Sequence, residues 1–363
     1  MTHRCIQFRL ARLILLACAT SFAGTAWGQA NASLQSNGDV SFFDRSADGP
    51  SSVDSVLATP EATSSDAGDD GFFVWNDDYS NRCCGDCPPG WTGRFDYVSF
   101  RRERSAMITL SNAFSLKHFD YEPGGRVTLF RHIDCLDAWE VTYVGQFDWF
   151  ETRTVNGVGL NSRLSSSSIN LSEFNNATVH SQAYRTRLDN VEFNRRWFGW
   201  DVISTMIGAR YIKLSERYSF NSTGPIGTGQ LGVRTDNDLF GVHIGMDLNY
   251  PIGRFYTTTV MKAGLFVNAS EADVRLVNAG STEIANSDED LDIAGMLELG
   301  FFMGANVTRN LRVRAGYEIL WITGVALVPD QIQNPLTVST GSHVHDSGDT
   351  FYHGFSAGAE LTW

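Results

Sequence analysis

The stretch NDLFGVHIGMDLNY, Asn237–Tyr250, sorts its side chains by parity. Phe240, Val242, Ile244, Met246, Leu248 and Tyr250 fall on one side, and Gly241, His243, Gly245, Asp247 and Asn249 on the other. A period of two is the signature of an extended strand, whose successive side chains point to opposite faces. The same alternation runs through AWEVTYVGQFDWF, where Trp139, Val141, Tyr143, Phe147 and Trp149 oppose Glu140, Thr142, Gln146 and Asp148. LDIAGMLELGFFM and LRVRAGYEILW, starting at Leu291 and Leu311, repeat it. These runs span about 9–13 residues, against five or six in a soluble strand, and match a tilted strand crossing hydrocarbon. Trp139, Trp149, Tyr250, Phe255, Trp321 and Trp363 stand at strand ends, where amphipathic rings suit a headgroup boundary. Hydrocarbon offers backbone groups no partner, so such strands must close on themselves.

The expected fold is therefore all-β: a transmembrane antiparallel β-barrel of about 10–14 strands. Candidate strands fall near 94–102, 106–113, 124–132, 138–151, 182–193, 202–214, 231–250, 254–268, 271–278, 288–304, 310–323 and 350–363. No run of 18 apolar residues follows the leader, which argues against a helical span.

Ahead of the barrel, Arg4, Arg9 and Arg12 precede the apolar run LILLACATSFAG and an A-x-G site at Ala26–Gly28, so residues 1–28 read as a secretory signal. Acylation at Cys18 is a competing reading, but only about five apolar residues precede that cysteine, against the usual 7–15. Residues 29–82 are rich in Ser, Ala, Asp, Gly and Pro and read as a disordered low-complexity segment. Residues 83–92 form a Cys/Pro-rich motif, and 93–363 the barrel. The chain carries 28 basic and 41 acidic residues, net −13, and loss of the three leader arginines takes it to about −16. Such a charge repels nucleic acid. Cys83, Cys84, Cys87 and Cys135 would meet an oxidising compartment and are disulfide candidates; the C-x-x-C spacing also suits zinc.

The alternation turns Arg210, Lys262, Arg312 and Arg314, with Glu298, Glu318 and Glu360, inward. At mid-depth in lipid each Arg or Lys would cost about 2–4 kcal/mol, so these charges should line a lumen. There they either border water or pair with one another. The first case, a passive pore for small hydrophilic solutes whose selectivity these charges set, is the expected function, and the second, a structural or surface-display barrel with a filled lumen and no transport, is the alternative.

Enzymatic chemistry finds little support. Gly354–Gly358 (GFSAG) fits the G-x-S-x-G pattern of a nucleophile elbow, yet that elbow needs a helix directly after it, and only five residues follow Gly358 here. His343, His345 and Asp346, and the acidic run Asp288, Glu289, Asp290 and Asp292, read as hydrated loop and strand-end residues rather than metal ligands. No catalytic, metal or cofactor residue is expected.

The last strand, FYHGFSAGAELTW, alternates to a terminal aromatic and resembles the C-terminal signature of bacterial outer-membrane barrels. With CCGDCPPGW, FDYEPGGRVTLFRHIDCLDAWEVTYVG, YRTRLDNVEFN, MIGARYIKLSE, MKAGLFVN and RAGYEILWITGVALVPDQ, it gives a chain that from Cys83 to Trp363 resembles the outer-membrane β-barrel porin-like family of planctomycete-type bacteria. The resemblance implies an outer-membrane location, contact with membrane lipid, and recognition of the last strand by the barrel-insertion machinery. The Ser/Asn-rich segment 156–181 reads as a surface loop outside the shared pattern.

Overall fold

A computed structural model describes residues 90–103, 109–134, 136–199 and 202–363. The expected signal and low-complexity segments, and Cys83, Cys84, Cys87 and Cys135, lie outside the described residues.

Ten antiparallel strands form one closed barrel: β1 (Trp91–Glu103), β2 (Glu122–His132), β3 (Asp137–Leu160), β4 (Ala177–Trp197), β5 (Ile203–Thr223), β6 (Thr228–Ile252), β7 (Phe255–Asn278), β8 (Ser281–Asn306), β9 (Leu311–Val325) and β10 (Gly348–Thr362). Each strand pairs with its neighbours in sequence, and β1 closes on β10 from Thr92↔Thr362 to Glu103↔Phe351, so no sheet edge is left along that seam. Hairpins are tight where the backbone allows. At the β7–β8 turn Ala279 and Gly280 both adopt positive φ (50° and 83°), the conformation a two-residue turn needs to follow the strand twist. The long connections, 104–121, 161–176 and 326–347, all leave the end opposite the termini. The last contains a short helix, α1 (Val328–Gln331).

The outward face carries the apolar band that the alternation called for. Phe240, Val242, Ile244, Tyr250, Phe255, Leu265, Val267, Ile293, Phe301, Met303, Trp321, Phe355 and Trp363 are all exposed. Exposed side chains of this size in one belt belong against acyl chains, and the fold is a transmembrane barrel. The β3–β8 strands run to 21–26 residues, whereas about 10 suffice for the hydrocarbon. Their excess lies beyond the belt, toward the long connections.

Ten strands fall within the expected 10–14, two fewer than the twelve candidate segments. The expected 254–268 and 271–278 form the single strand β7. In the span between them, Asn268, Ser270 and Ala272 still point inward, so the period continues while hydrophobicity fades. Of the expected 106–113, the described residues 109–113 form no strand. They lie in the β1–β2 connection, where Ser111 makes an isolated bridge to Ser162. The expected surface loop 156–181 shrinks to 161–176, because β3 reaches Leu160 and β4 starts at Ala177.

Parity also breaks inside β3. Between Val144 and Phe147 the register to β4 shifts, and Gln146 takes φ 70°. The extra residue is a bulge, and it exchanges the two faces beyond it. Phe147 and Trp149, expected outside with Trp139, are therefore buried inside the barrel. Trp149 is not a headgroup-boundary residue.

Candidate functional site: the barrel lumen

Within the barrel the charged side chains meet across the cavity in tiers. Nearest the termini, Glu360 lies 3.9 Å from Arg94 and 3.5 Å from Arg312, and the Arg312 side chain is 37% exposed. Above this, Arg314 donates to both oxygens of Asp96 (2.9 and 2.6 Å), and Arg126 donates to both oxygens of Glu318 (2.8 and 2.5 Å). Paired forks of this kind fix geometry as well as charge. At the level of Arg94, with which it shares the Phe130 ring, Arg196 bridges Glu140 (2.9 and 2.7 Å) to Asp247 and donates to Ser204. Arg210 reaches Glu298 at 2.8 Å and Asn190 at 2.9 Å, while Lys262 donates to Glu192 at 2.8 Å. Register contributes: Arg210 stands directly opposite Glu192, and Lys262 opposite Glu298.

Toward the long connections an apolar tier follows. Phe100 stacks on Phe147 (5.2 Å between ring centres), Phe147 on Trp149 (5.3 Å), and Trp149 meets Tyr352 (5.3 Å). The Trp149 indole N–H donates to the Phe100 carbonyl at 3.1 Å, so the large ring fills space without leaving a buried donor unmet. Phe100 packs over Gly354, where an added Cβ would lie 1.9 Å from the Ser99 carbonyl oxygen. Glycine on the inner face is what admits the ring. Higher still, Glu216 pairs with Arg102 and accepts from the Tyr184 hydroxyl (2.8 Å) and the Val328 amide (2.8 Å). That last bond ties α1 down into the barrel mouth. Asn237 does the same by exchanging hydrogen bonds with both the N–H and C=O of Ala326.

Seven cations (Arg94, Arg102, Arg126, Arg196, Arg210, Lys262 and Arg314) thus face seven carboxylates (Asp96, Glu140, Glu192, Glu216, Asp247, Glu298 and Glu318). A void among Phe100, Arg126, Arg210, Glu298, Glu318 and Leu320 measures about 10 Å³, roughly the room one water needs. The arrangement fills and rigidifies the lumen. Isolated buried charge would be prohibitive, and here each ion has a partner at hydrogen-bond or close ion-pair distance.

Of the lumen residues expected from sequence, Arg210, Lys262, Glu298 and Glu318 lie in the buried tiers, Arg314 is largely buried on Asp96, and Arg312 and Glu360 lie at the more open end. Asp96, Arg102, Arg126, Glu140, Glu192, Arg196, Glu216 and Asp247 were not singled out. Parity could have found most of them: Asp96 alternates with exposed Phe95 and Tyr97, and Glu192 with Val191 and Phe193. Ser356 sits mid-strand in β10, buried, with no elbow around it. The side chain of His345 lies beside that of Gln333 (2.7 Å), and Asp288 accepts from the Val344 amide (3.3 Å).

No protein-family model and no curated protein sequence matches the chain. Among solved structures it is similar to the outer membrane protease OmpT from Escherichia coli, at 9% identity and TM-score 0.40, covering 77% of this chain and 98% of that one. It is also similar to the toluene transporter TbuX of Ralstonia pickettii, at 9% identity and TM-score 0.32 (77% and 90% covered). The attachment invasion locus protein Ail of Yersinia pestis follows at 8% identity and TM-score 0.25 (76% and 99%). Likeness at this level assigns no activity, and the barrel assignment rests on this chain's own closed strand ladder and apolar band.

Proposed function

We propose that the protein is an outer-membrane barrel with a filled lumen, serving as a structural or surface-display element rather than an open pore. The observation that carries this reading is the unbroken sequence of tiers across the lumen, ion-paired below and aromatic at Phe100, Phe147, Trp149 and Tyr352, capped by Glu216 and Asn237 holding the 326–347 connection. Rigid, paired charge offers solutes no hydrated path. An outer-membrane location is supported by the closed all-strand span, the aromatic-edged apolar band, the signal-like leader and the terminal-aromatic last strand, the feature by which the insertion machinery would take up the chain. The likeness of its motifs to the planctomycete-type porin-like family agrees with that location.

The passive-pore reading draws on the more open end, where Arg312 and Glu360 could form a vestibule for small solutes. Planar-bilayer recording separates the two. Folded, heat-modifiable protein should give no discrete conductance steps, and liposomes containing it should not swell in small sugars. Reproducible steps from such protein would replace the filled-lumen reading with the pore.

A further inference from the structure

Outside the barrel, on the wall beyond the apolar belt, three arginines stand in one row across adjacent strands. Arg185 of β4 is directly opposite Arg217 of β5, which is directly opposite Arg234 of β6. Like charges in direct cross-strand register destabilise a sheet. Arg275 of β7 joins them opposite Gly232, and Arg187 lies one step below Arg185. Arg185 and Arg187 share Asp148, and Arg234 pairs with Asp236. For Arg217 and Arg275 the described residues show no ion pair. With Asp273 and Glu271 also in the patch, five cations meet four carboxylates, a local excess of one positive charge on a chain whose net charge is −13. The row borders an outward groove of about 470 Å³. Gly232 keeps it open, since nothing lies within 4 Å of the place its Cβ would occupy. Phe150, exposed beside Arg185, gives the groove an apolar end.

Height selects the ligand. In this sector the belt ends on Val191, Tyr211, Phe240, Val267 and Leu291. Arg217 lies six residues beyond Tyr211, about 20 Å along the strand and, at a tilt near 45°, about 14 Å above the hydrocarbon. A phospholipid headgroup layer is only about 5–8 Å deep. The level between belt and arginines holds Asp189, Asp238 and Glu289 against Lys213, which pairs with Asp238, and this net negative band repels anionic phosphates held close to the acyl chains. Guanidinium forks on neighbouring strands, about 5 Å apart, suit a phosphate, whose three free oxygens and greater charge let two or three of them share it.

We propose that this groove binds the phosphate-bearing saccharide headgroup of a glycolipid in the surrounding leaflet. The inference rests on the membrane-barrel reading and is independent of whether the lumen conducts. Its test uses full-length protein that already shows heat-modifiable migration, so failure to form a barrel is recognised first. The protein in detergent is titrated calorimetrically with lipopolysaccharide bearing a phosphorylated core, with phosphatidylglycerol, and with the deacylated phospho-oligosaccharide of the same lipopolysaccharide. Lipopolysaccharide should bind at least tenfold more tightly than either of the others. The R217A/R275A double variant should weaken it by about tenfold or more, as should G232W, which fills the groove without changing charge. Equal binding of phosphatidylglycerol, equal binding of the soluble oligosaccharide, or wild-type affinity in both variants would each overturn the proposal.

Discussion

Replacing Arg210 with Ala distinguishes a dry, packed lumen from a hydrated one. The guanidinium is about 1% exposed, donates to Glu298 and Asn190 at 2.8 and 2.9 Å, and lies 3.4 Å from Glu192. Without it, Glu192 and Glu298 are left to share the single ammonium of Lys262, at 2.8 and 3.5 Å. Removing one partner from a buried ion cluster costs about 3–5 kcal/mol, whereas an exposed pair is worth about 0–1 kcal/mol. Equilibrium unfolding of the refolded barrel in urea, read by the electrophoretic shift between folded and unfolded forms, should register the larger loss. Adding E298Q to R210A leaves one carboxylate for one ammonium and should recover a substantial part of it. A loss below about 1 kcal/mol for R210A, with no recovery in the double variant, would mean that water screens these charges and would refute the packed-lumen argument.

Other expectations follow from single contacts. Deleting Gln146 removes the β3 bulge yet keeps Val144, Phe147 and Trp149 inward opposite Asn190, Leu188 and Thr186, so the heat-modifiable form should persist, whereas one further residue inserted after Phe147 should turn Trp149 outward and abolish it. G354V drives a side chain into the Ser99 carbonyl and the Phe100 ring and should cost at least about 1–3 kcal/mol in the same urea assay. S356A removes a buried hydroxyl for which the described contacts give no partner, so stability should hold or rise slightly, and no hydrolytic activity should be lost. In the 326–347 connection, burial raises the carboxyls of Asp330 and Asp346 above the ordinary 3.8. The folded state therefore holds those protons more tightly. Their contribution to stability is full below the unfolded value and is lost as pH rises through the raised folded values. Hydrogen exchange at Val328–Gln331 should accordingly show greater protection, after correction for intrinsic rates, at pH 3.5 than at pH 6, and D330N should flatten the difference.

The local pattern of residues was enough to establish strands, their membrane-crossing length and, for most positions, which face each side chain occupies. These follow from a backbone period of two and from the cost of setting charge against lipid, both properties of neighbouring residues. Strand continuity through Asn268–Ala272 was legible only as period, since the residues there are small and polar. The β3 bulge was not legible, because a single extra residue is recognised only against the partner strand that fails to match it. Nor could sequence choose between a lined channel and a filled core. Arg314 finds Asp96, and Arg126 finds Glu318, across separations of 218 and 192 residues, and whether two such side chains touch depends on how narrowly ten strands close. The alternation supplied the charges and turned them inward, and the barrel's closure brought them within bonding distance of one another.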